Sequence, residues 1–326
     1  MIESVLCHYA GFSQTDSIEC LGNAGGFSGA QLWKAKVGND FFCIRRWPKT
    51  HPLHTQLYWM HWVLLRAVEN DCPFVPAPVQ NDQQQTFVTH GGYLWEITPW
   101  MPGEADLATN CTDAKVEAAF SALAKFHSAV EPAERSEHPS EGVHSRLDFA
   151  NRLIGEMPEM ASRVGNSSLD GQTKLLCTEI VDLARDRLPM LPDFLQPVVG
   201  KPLPLQPVIR DIWHQHVLFQ DDQVTGIVDF GAMREETVAL DFARLLASLP
   251  RRSQENRELQ PIAINAYTRL RTLSELEIRT MVALLNVSNV LSGLTWVRWL
   301  AMGGRTFEDM ENVRGRLAEI CLQLQR

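Results

Sequence analysis

Short apolar runs broken by turn residues recur through the first hundred residues, the signature of β-strands. The runs Ser17–Leu21, Gln31–Val37, Phe41–Trp47, Thr86–Thr89 and Tyr93–Pro99 are rich in Val, Ile, Phe and Trp, with Gly or Asn-Asp between them. Gly38-Asn39-Asp40 marks a hairpin tip between the second and third runs. One stretch differs. From His54 to Asn70 the apolar residues Leu57, Met60, Leu64 and Val68 recur at helical spacing, which predicts an amphipathic helix.

Met101-Pro102-Gly103 breaks this pattern. Beyond it the periodicity predicts helices over Asp113–Val130, Leu147–Met160, Leu169–Leu188, Val238–Leu249, Gln254–Leu270 and Ser274–Leu300, and a terminal helix after Thr306. The polar, Pro-containing stretch Glu131–Val143 reads as an exposed loop. A second Pro-rich stretch, Leu191–Pro207, leads into two short apolar runs joined by a polar hairpin. The expected class is therefore α+β: a small β-rich lobe over residues 1–100 with a hinge near 97–103, then a larger, mainly helical lobe over 101–326 with a hairpin at 206–231.

Bulk properties narrow the function. A net charge of −9 over 326 residues argues against nucleic acid as a main partner, because phosphate backbones require a basic face. The longest uncharged run, Thr280–Val297, contains Asn286, Ser288, Asn289, Ser292 and Thr295, so it reads as a buried core helix, and no membrane partner is expected. The N-terminal stretch lacks a secretory pattern. Seven scattered cysteines without a Cys-x-x-Cys pair fit free thiols in a reducing cytoplasm.

The chemistry concentrates in PVIRDIWHQHVLFQDDQVTGIVDFG. Asp211 and Asp229 each follow a β-branched apolar run, which predicts two carboxylates at neighbouring strand ends, as phosphoryl transfer requires. One orients an attacking hydroxyl, and the other holds Mg²⁺ on nucleotide phosphates. A phosphate cradle is expected upstream. Gly22-Asn23-Ala24-Gly25-Gly26-Phe27-Ser28-Gly29 offers close backbone N–H approach and a Ser28 hydroxyl, though glycine-rich turns also occur without a ligand. It lacks the Gly-Lys-Ser/Thr of a Walker loop. In the next strand, alternation sends Arg45 and Arg46 to opposite faces, so one can bind phosphate or both can form a surface pair.

In order along residues 15 to 250, these motifs resemble the aminoglycoside phosphotransferase and choline kinase-like family, relatives of the protein kinases. The family's catalytic stretch, H-G-D-x-x-x-x-N-x-L, is matched by Ile209-Arg210-Asp211 through His216-Val217-Leu218. Its metal segment is similar to Val228-Asp229-Phe230-Gly231, and its later D-L-A to Asp241-Phe242-Ala243. The early G-G-x-S resembles Gly25-Gly26-Phe27-Ser28, the hinge Trp95-Glu96-Ile97 through Gly103, and the helical L-x-x-x-H Leu123 through His127. The resemblance implies a two-lobed protein kinase-like fold that uses ATP and Mg²⁺, or Mn²⁺, to phosphorylate a small-molecule hydroxyl. Asp211 would be the catalytic base, Asp229 with His216 the metal residues, and Gly25, Gly26, Ser28, Arg45 and Glu96 the nucleotide-binding residues. Asp241 would tie the catalytic loop to the following helix.

Three departures frame the alternative, a weak or inactive kinase-like protein that binds nucleotide or a partner. His216 replaces the usual metal-side asparagine, and imidazole prefers softer metals than Mg²⁺. Arg45 replaces the strand lysine, and the helical glutamate that would pair with it has no counterpart, with His61 near its place. His214 and His216 admit a two-histidine metal site or simple packing roles. Glu235, Glu236, Glu308, Asp309 and Glu311 either attract a cationic amine or lie on solvated faces.

Overall fold

The N-terminal runs form strands, and those at the centre of the sheet share one core. The computed structural model describes residues 2–23, 29–134, 136–250, 259–307 and 309–325. After a short helix α1 (Ile2–Leu6) come β1 (Ser17–Gly22), β2 (Gln31–Val37) and β3 (Asp40–Arg46), then α2 (His54–Glu69), β4 (Val88–His90) and β5 (Tyr93–Pro99). The strands make one antiparallel sheet in the order β1-β2-β3-β5-β4. Ala35, Ile44, Trp95 and Ile97 bury their side chains against Val5, Leu6, Tyr9 and Phe12. On α2 the buried face runs through Leu57, Met60, His61, Leu64 and Ala67. Val68, expected on that face, is 40% exposed, in the last turn of α2.

Downstream lie α3 (Asp113–Ala129), β6 (Ser136–Pro139), α4 (Glu141–Gly165), α5 (Gly171–Arg185), α6 (Leu191–Leu195) and β7 (Pro202–Val208). They are followed by β8 (Val217–Gln220), β9 (Gln223–Ile227), β10 (Arg234–Glu236), α7 (Ala239–Ser248), α8 (Leu259–Thr268), α9 (Glu275–Val297) and α10 (Met310–Leu324). The expected loop over Glu131–Val143 is instead a strand and a helix start. β6 pairs with β7, with Pro139 opposite Pro202. Pro139 is tolerated because β6 is the edge of the sheet β10-β7-β6, and Pro202 because it is the first residue of the central strand β7. The Ser140 side chain caps α4 by accepting from Val143 N at 3.0 Å. The Glu236 carboxylate accepts from Ser140 Oγ and Gly142 N, both at 2.5 Å. A carboxylate nearly a hundred positions away supports this helix end, so local pattern does not show it.

The chain packs as two compact units, Met1–Ala105 with His216–Gly231, and Asp106–Gln215 with Ala232–Arg326. The hairpin β8–β9 therefore belongs with the N-terminal sheet, although it lies in the middle of the helical sequence. Its ties are backbone hydrogen bonds: Glu104 and Phe219 exchange two at 2.9 Å, and Ile227 N donates to Phe74 O at 2.8 Å. Gly103 lies at φ +102°, where a Cβ would stand 2.6 Å from Phe219 O. Gly103→Ala is therefore expected to cost about 2–4 kcal/mol through backbone strain and overpacking, read as a lower urea midpoint with unchanged slope.

In the second unit, α9 packs against α7, α5 and α10. Glu275–Met302 is long and apolar enough to span a membrane by length and composition, yet 61% of its most apolar window is buried inside the protein. It serves as the core helix of this unit. Ser288 and Thr295 satisfy their hydroxyls on the carbonyls of Leu284 and Leu291.

Candidate functional site

Each expected acidic motif is held by a different unit. In the second unit, β7 ends at Val208 and the chain turns through Ile209 and Arg210 to Asp211. Arg210 is left-handed, at φ 68°, a conformation that costs a non-glycine residue about 1–2 kcal/mol. Asp241, fully buried at the start of α7, holds that turn. Its carboxylate accepts from Ile209 N at 2.7 Å and Arg210 N at 2.6 Å. Its third donor is His127 Nε2 at 3.0 Å, and His127 Nδ1 accepts from the Tyr267 hydroxyl at 2.7 Å. Burial pushes His127 below the usual histidine range despite the Asp241 carboxylate, and a neutral ring satisfies both contacts. Burial likewise raises the Tyr267 hydroxyl. The loop-anchoring role expected for Asp241 is visible in this geometry, and His127 extends it.

Asp211 itself is half-exposed, with 56% of its side-chain surface accessible. Arg244 of α7 donates to its Oδ1 from NH2 at 2.9 Å and from Nε at 3.2 Å. Trp213, buried two positions on, lies under the guanidinium groups of Arg244 and Arg316, at 4.6 and 3.3 Å from the ring centre. His214 is buried, with its backbone N–H donating to Ser248 Oγ.

In the first unit, Asp229 lies just past β9 at φ 65°, again left-handed, and Val228 N donates to His216 O at 2.9 Å. His216 Nε2 stands 3.7 Å from Asp229 Oδ2, so the expected metal residues are neighbours. The next glycine, Gly231, lies against Trp47, where a Cβ would approach the ring to 3.0 Å. One carboxylate suits a phosphate-bound Mg²⁺, which takes its remaining ligands from nucleotide oxygens and water. The neighbouring imidazole favours softer ions than Mg²⁺. Among the described residues no group of three or more His, Cys, Asp or Glu is placed to hold a metal.

The strand arginines diverge as alternation requires. Arg46 stacks over Tyr93 at 4.5 Å, whereas Arg45 turns to Glu96, its partner in register across β3 and β5. Arg45 Nε stands 3.5 Å from Glu96 Oε1. Glu96 also accepts from Trp47 Nε1 at 3.0 Å and meets His61 Nε2 at 2.7 Å, while His61 Nδ1 meets Thr86 Oγ1 at 2.8 Å. Burial alone would raise the Glu96 carboxyl. The hydrogen bond and charge of His61, then Arg45 and Trp47, outweigh it and hold the group below the usual range. Burial opposes the charge of Arg45, but the carboxylates of Glu96 and Asp229 override it and raise its pKa. The carboxylate that accompanies Arg45 thus comes from β5, with a helical histidine behind it. A glutamate in the middle of the apolar run Tyr93–Pro99 was the available signal. Gly25, Gly26 and Ser28 lie outside the described residues.

Of the acids read either as amine-attracting or as solvated, two have structural duties. Glu236 is spent on the start of α4, Asp309 caps α10 by accepting from Asn312 N, and Glu235 and Glu311 are exposed. Glu308 lies outside the described residues.

Comparisons with known proteins agree on one fold. The chain is similar along 99% of its length to an aminoglycoside phosphotransferase from Alicyclobacillus acidocaldarius subsp. acidocaldarius DSM 446, at 16% identity and TM-score 0.67, covering 92% of that chain. A spectinomycin phosphotransferase in complex with ADP and spectinomycin aligns at TM-score 0.69 and 11% identity, covering 99% of this chain and 97% of that one. An amicoumacin kinase in complex with AMP-PNP and Ca²⁺ aligns at TM-score 0.58 and 12% identity, covering 90% and 85%. At these identities the likeness establishes the kinase-like fold alone. No curated protein sequence matches significantly. The sequence profile of the phosphotransferase enzyme family matches residues 19–276, from β1 into α9 and through both acidic motifs, and the chain belongs to that family.

Proposed function

We propose that the protein is an ATP-dependent kinase that phosphorylates a hydroxyl group of a small molecule. The observation that carries this reading is the Asp211 turn, held left-handed at Arg210 by the buried Asp241 within a chain of phosphotransferase ancestry. In this reading the Asp211 carboxylate takes the proton of the acceptor hydroxyl. The hydroxyl oxygen then bonds to the γ-phosphorus as the bond to the β–γ bridging oxygen breaks, and ADP leaves. Asp229, with His216 beside it, would hold the divalent metal, which when bound neutralises charge on the nucleotide phosphates. Arg45, kept charged and positioned by Glu96, contributes positive charge on the same unit. Seven free cysteines support a reducing, cytoplasmic setting.

A second reading, a nucleotide-binding regulator without turnover, draws on His216 at the metal position and on Arg45 with its rebuilt carboxylate partner. Thermal-shift titration with ATP, with and without Mg²⁺ or Mn²⁺, together with an ADP-release assay, separates the two. The kinase reading expects metal-dependent stabilisation that Asp229→Ala removes, and ADP release with an acceptor. Metal-independent stabilisation without turnover favours the regulator.

A further inference from the structure

The surroundings of Asp211 are basic in a chain whose net charge is −9. Arg244 chelates the carboxylate, and Arg244 and Arg316 lie over Trp213. Arg146 of α4 donates to Gly142 O at 2.8 Å, and it feels the charges of Arg244, Arg210 and Asp211. Arg234 of β10 is near enough to Arg210 to feel its charge. Guanidinium groups thus come to Asp211 from α4, α7 and α10, beside Arg210 of its own turn, and Arg234 of β10 adjoins Arg210. The carboxylates facing them are Asp211, Glu319 at 3.3 Å from Arg316, and Glu236, which is already committed to the start of α4. The sequence spreads these arginines over 170 positions, and only the fold of this unit collects them.

Like charges this close disfavour one another. Burial and then Arg244 push both Arg146 and Arg316 down to about 10. A protein that needed only an ordered loop would gain nothing from crowding guanidinium groups beside its acidic residue. Guanidinium binds carboxylate and phosphate through paired N–H donors, and an anion placed among these groups would relieve their repulsion.

We infer that this cluster selects an acceptor carrying an anionic group, a phosphate or a carboxylate, alongside the hydroxyl presented to Asp211. The inference rests on the kinase reading for the fate of the hydroxyl, while the anion preference can be tested without turnover. It stands against the cationic-amine alternative left open by the acidic residues of the sequence.

The test uses the full chain in two arms. In the first, ADP release is measured with matched acceptors: glycerol, glycerol 3-phosphate, glycerate and 3-amino-1,2-propanediol, then glucose, glucose 6-phosphate, gluconate and glucosamine. The expected result is a kcat/KM at least about tenfold higher for an anionic member of a series. Arg146→Gln and Arg316→Gln should raise the KM for that acceptor and leave the KM for ATP unchanged. Equal or better turnover of neutral or amine members overturns the inference, as does a variant effect confined to the KM for ATP. In the second arm, inorganic phosphate and citrate are titrated against chloride at constant ionic strength without nucleotide. Wild-type protein should be stabilised by the multivalent anions, and both variants should lose that stabilisation. No such stabilisation of the wild type overturns the inference even if no acceptor reacts. Failure to bind ATP or release ADP, with anion stabilisation intact, counts against the kinase reading alone.

Discussion

Asp211→Ala is expected to lower kcat by about 10²–10⁴-fold, the usual contribution of a positioned general base, while ATP affinity measured by calorimetry stays within about twofold. Asp211 lies on a turn whose backbone is held by Asp241, and its own side chain is half-exposed and carries no part of the core. Truncation therefore removes the proton acceptor without removing a packing group, and stability should move little. The ion pair with Arg244 sharpens the test, because the variant frees that guanidinium and should tighten binding of an anionic acceptor as turnover falls. Turnover equal to wild type would show that another group takes the proton.

Asp241→Asn carries the largest expected cost in stability. Its carboxylate is fully buried and serves three donors: Ile209 N, Arg210 N and His127 Nε2. An asparagine presents one acceptor oxygen and turns an NH₂ group toward donors already in place, leaving buried N–H groups unpaired. Hydrogen bonds to a charged acceptor contribute about 1.5–3 kcal/mol each, so a loss of about 3–5 kcal/mol follows, a large share of a typical domain's stability. Urea denaturation should show a lower midpoint at unchanged slope. Turnover of the fraction that folds should also fall, because the left-handed turn at Arg210 has lost its anchor. A loss below about 1 kcal/mol would mean that the turn holds itself.

Local pattern was a good guide wherever neighbours in sequence are also neighbours in space. Strands β2, β3 and β5 and helix α2 follow from local pattern because each carries buried apolar residues, and β3 and β5 separate Arg45 from Arg46 as alternation demands. The start of α4 was not legible, because Glu236 completes its cap from β10. Val68 keeps the helical phase of the α2 face but lies in the last turn of the helix, where it is exposed.

By itself the sequence determined the two acidic motifs, their order along the chain and the resemblance to phosphotransferases. Those depend on residue identity and spacing, which folding leaves unchanged. Tertiary structure alone decided which charges meet. It brought Glu96 and His61 to Arg45 in place of a helical acid, set Asp241 and His127 beneath the Asp211 turn, and gathered Arg146, Arg244 and Arg316 from three helices around it. Electrostatic partners act over a few ångströms of space, and sequence separation carries no information about that distance.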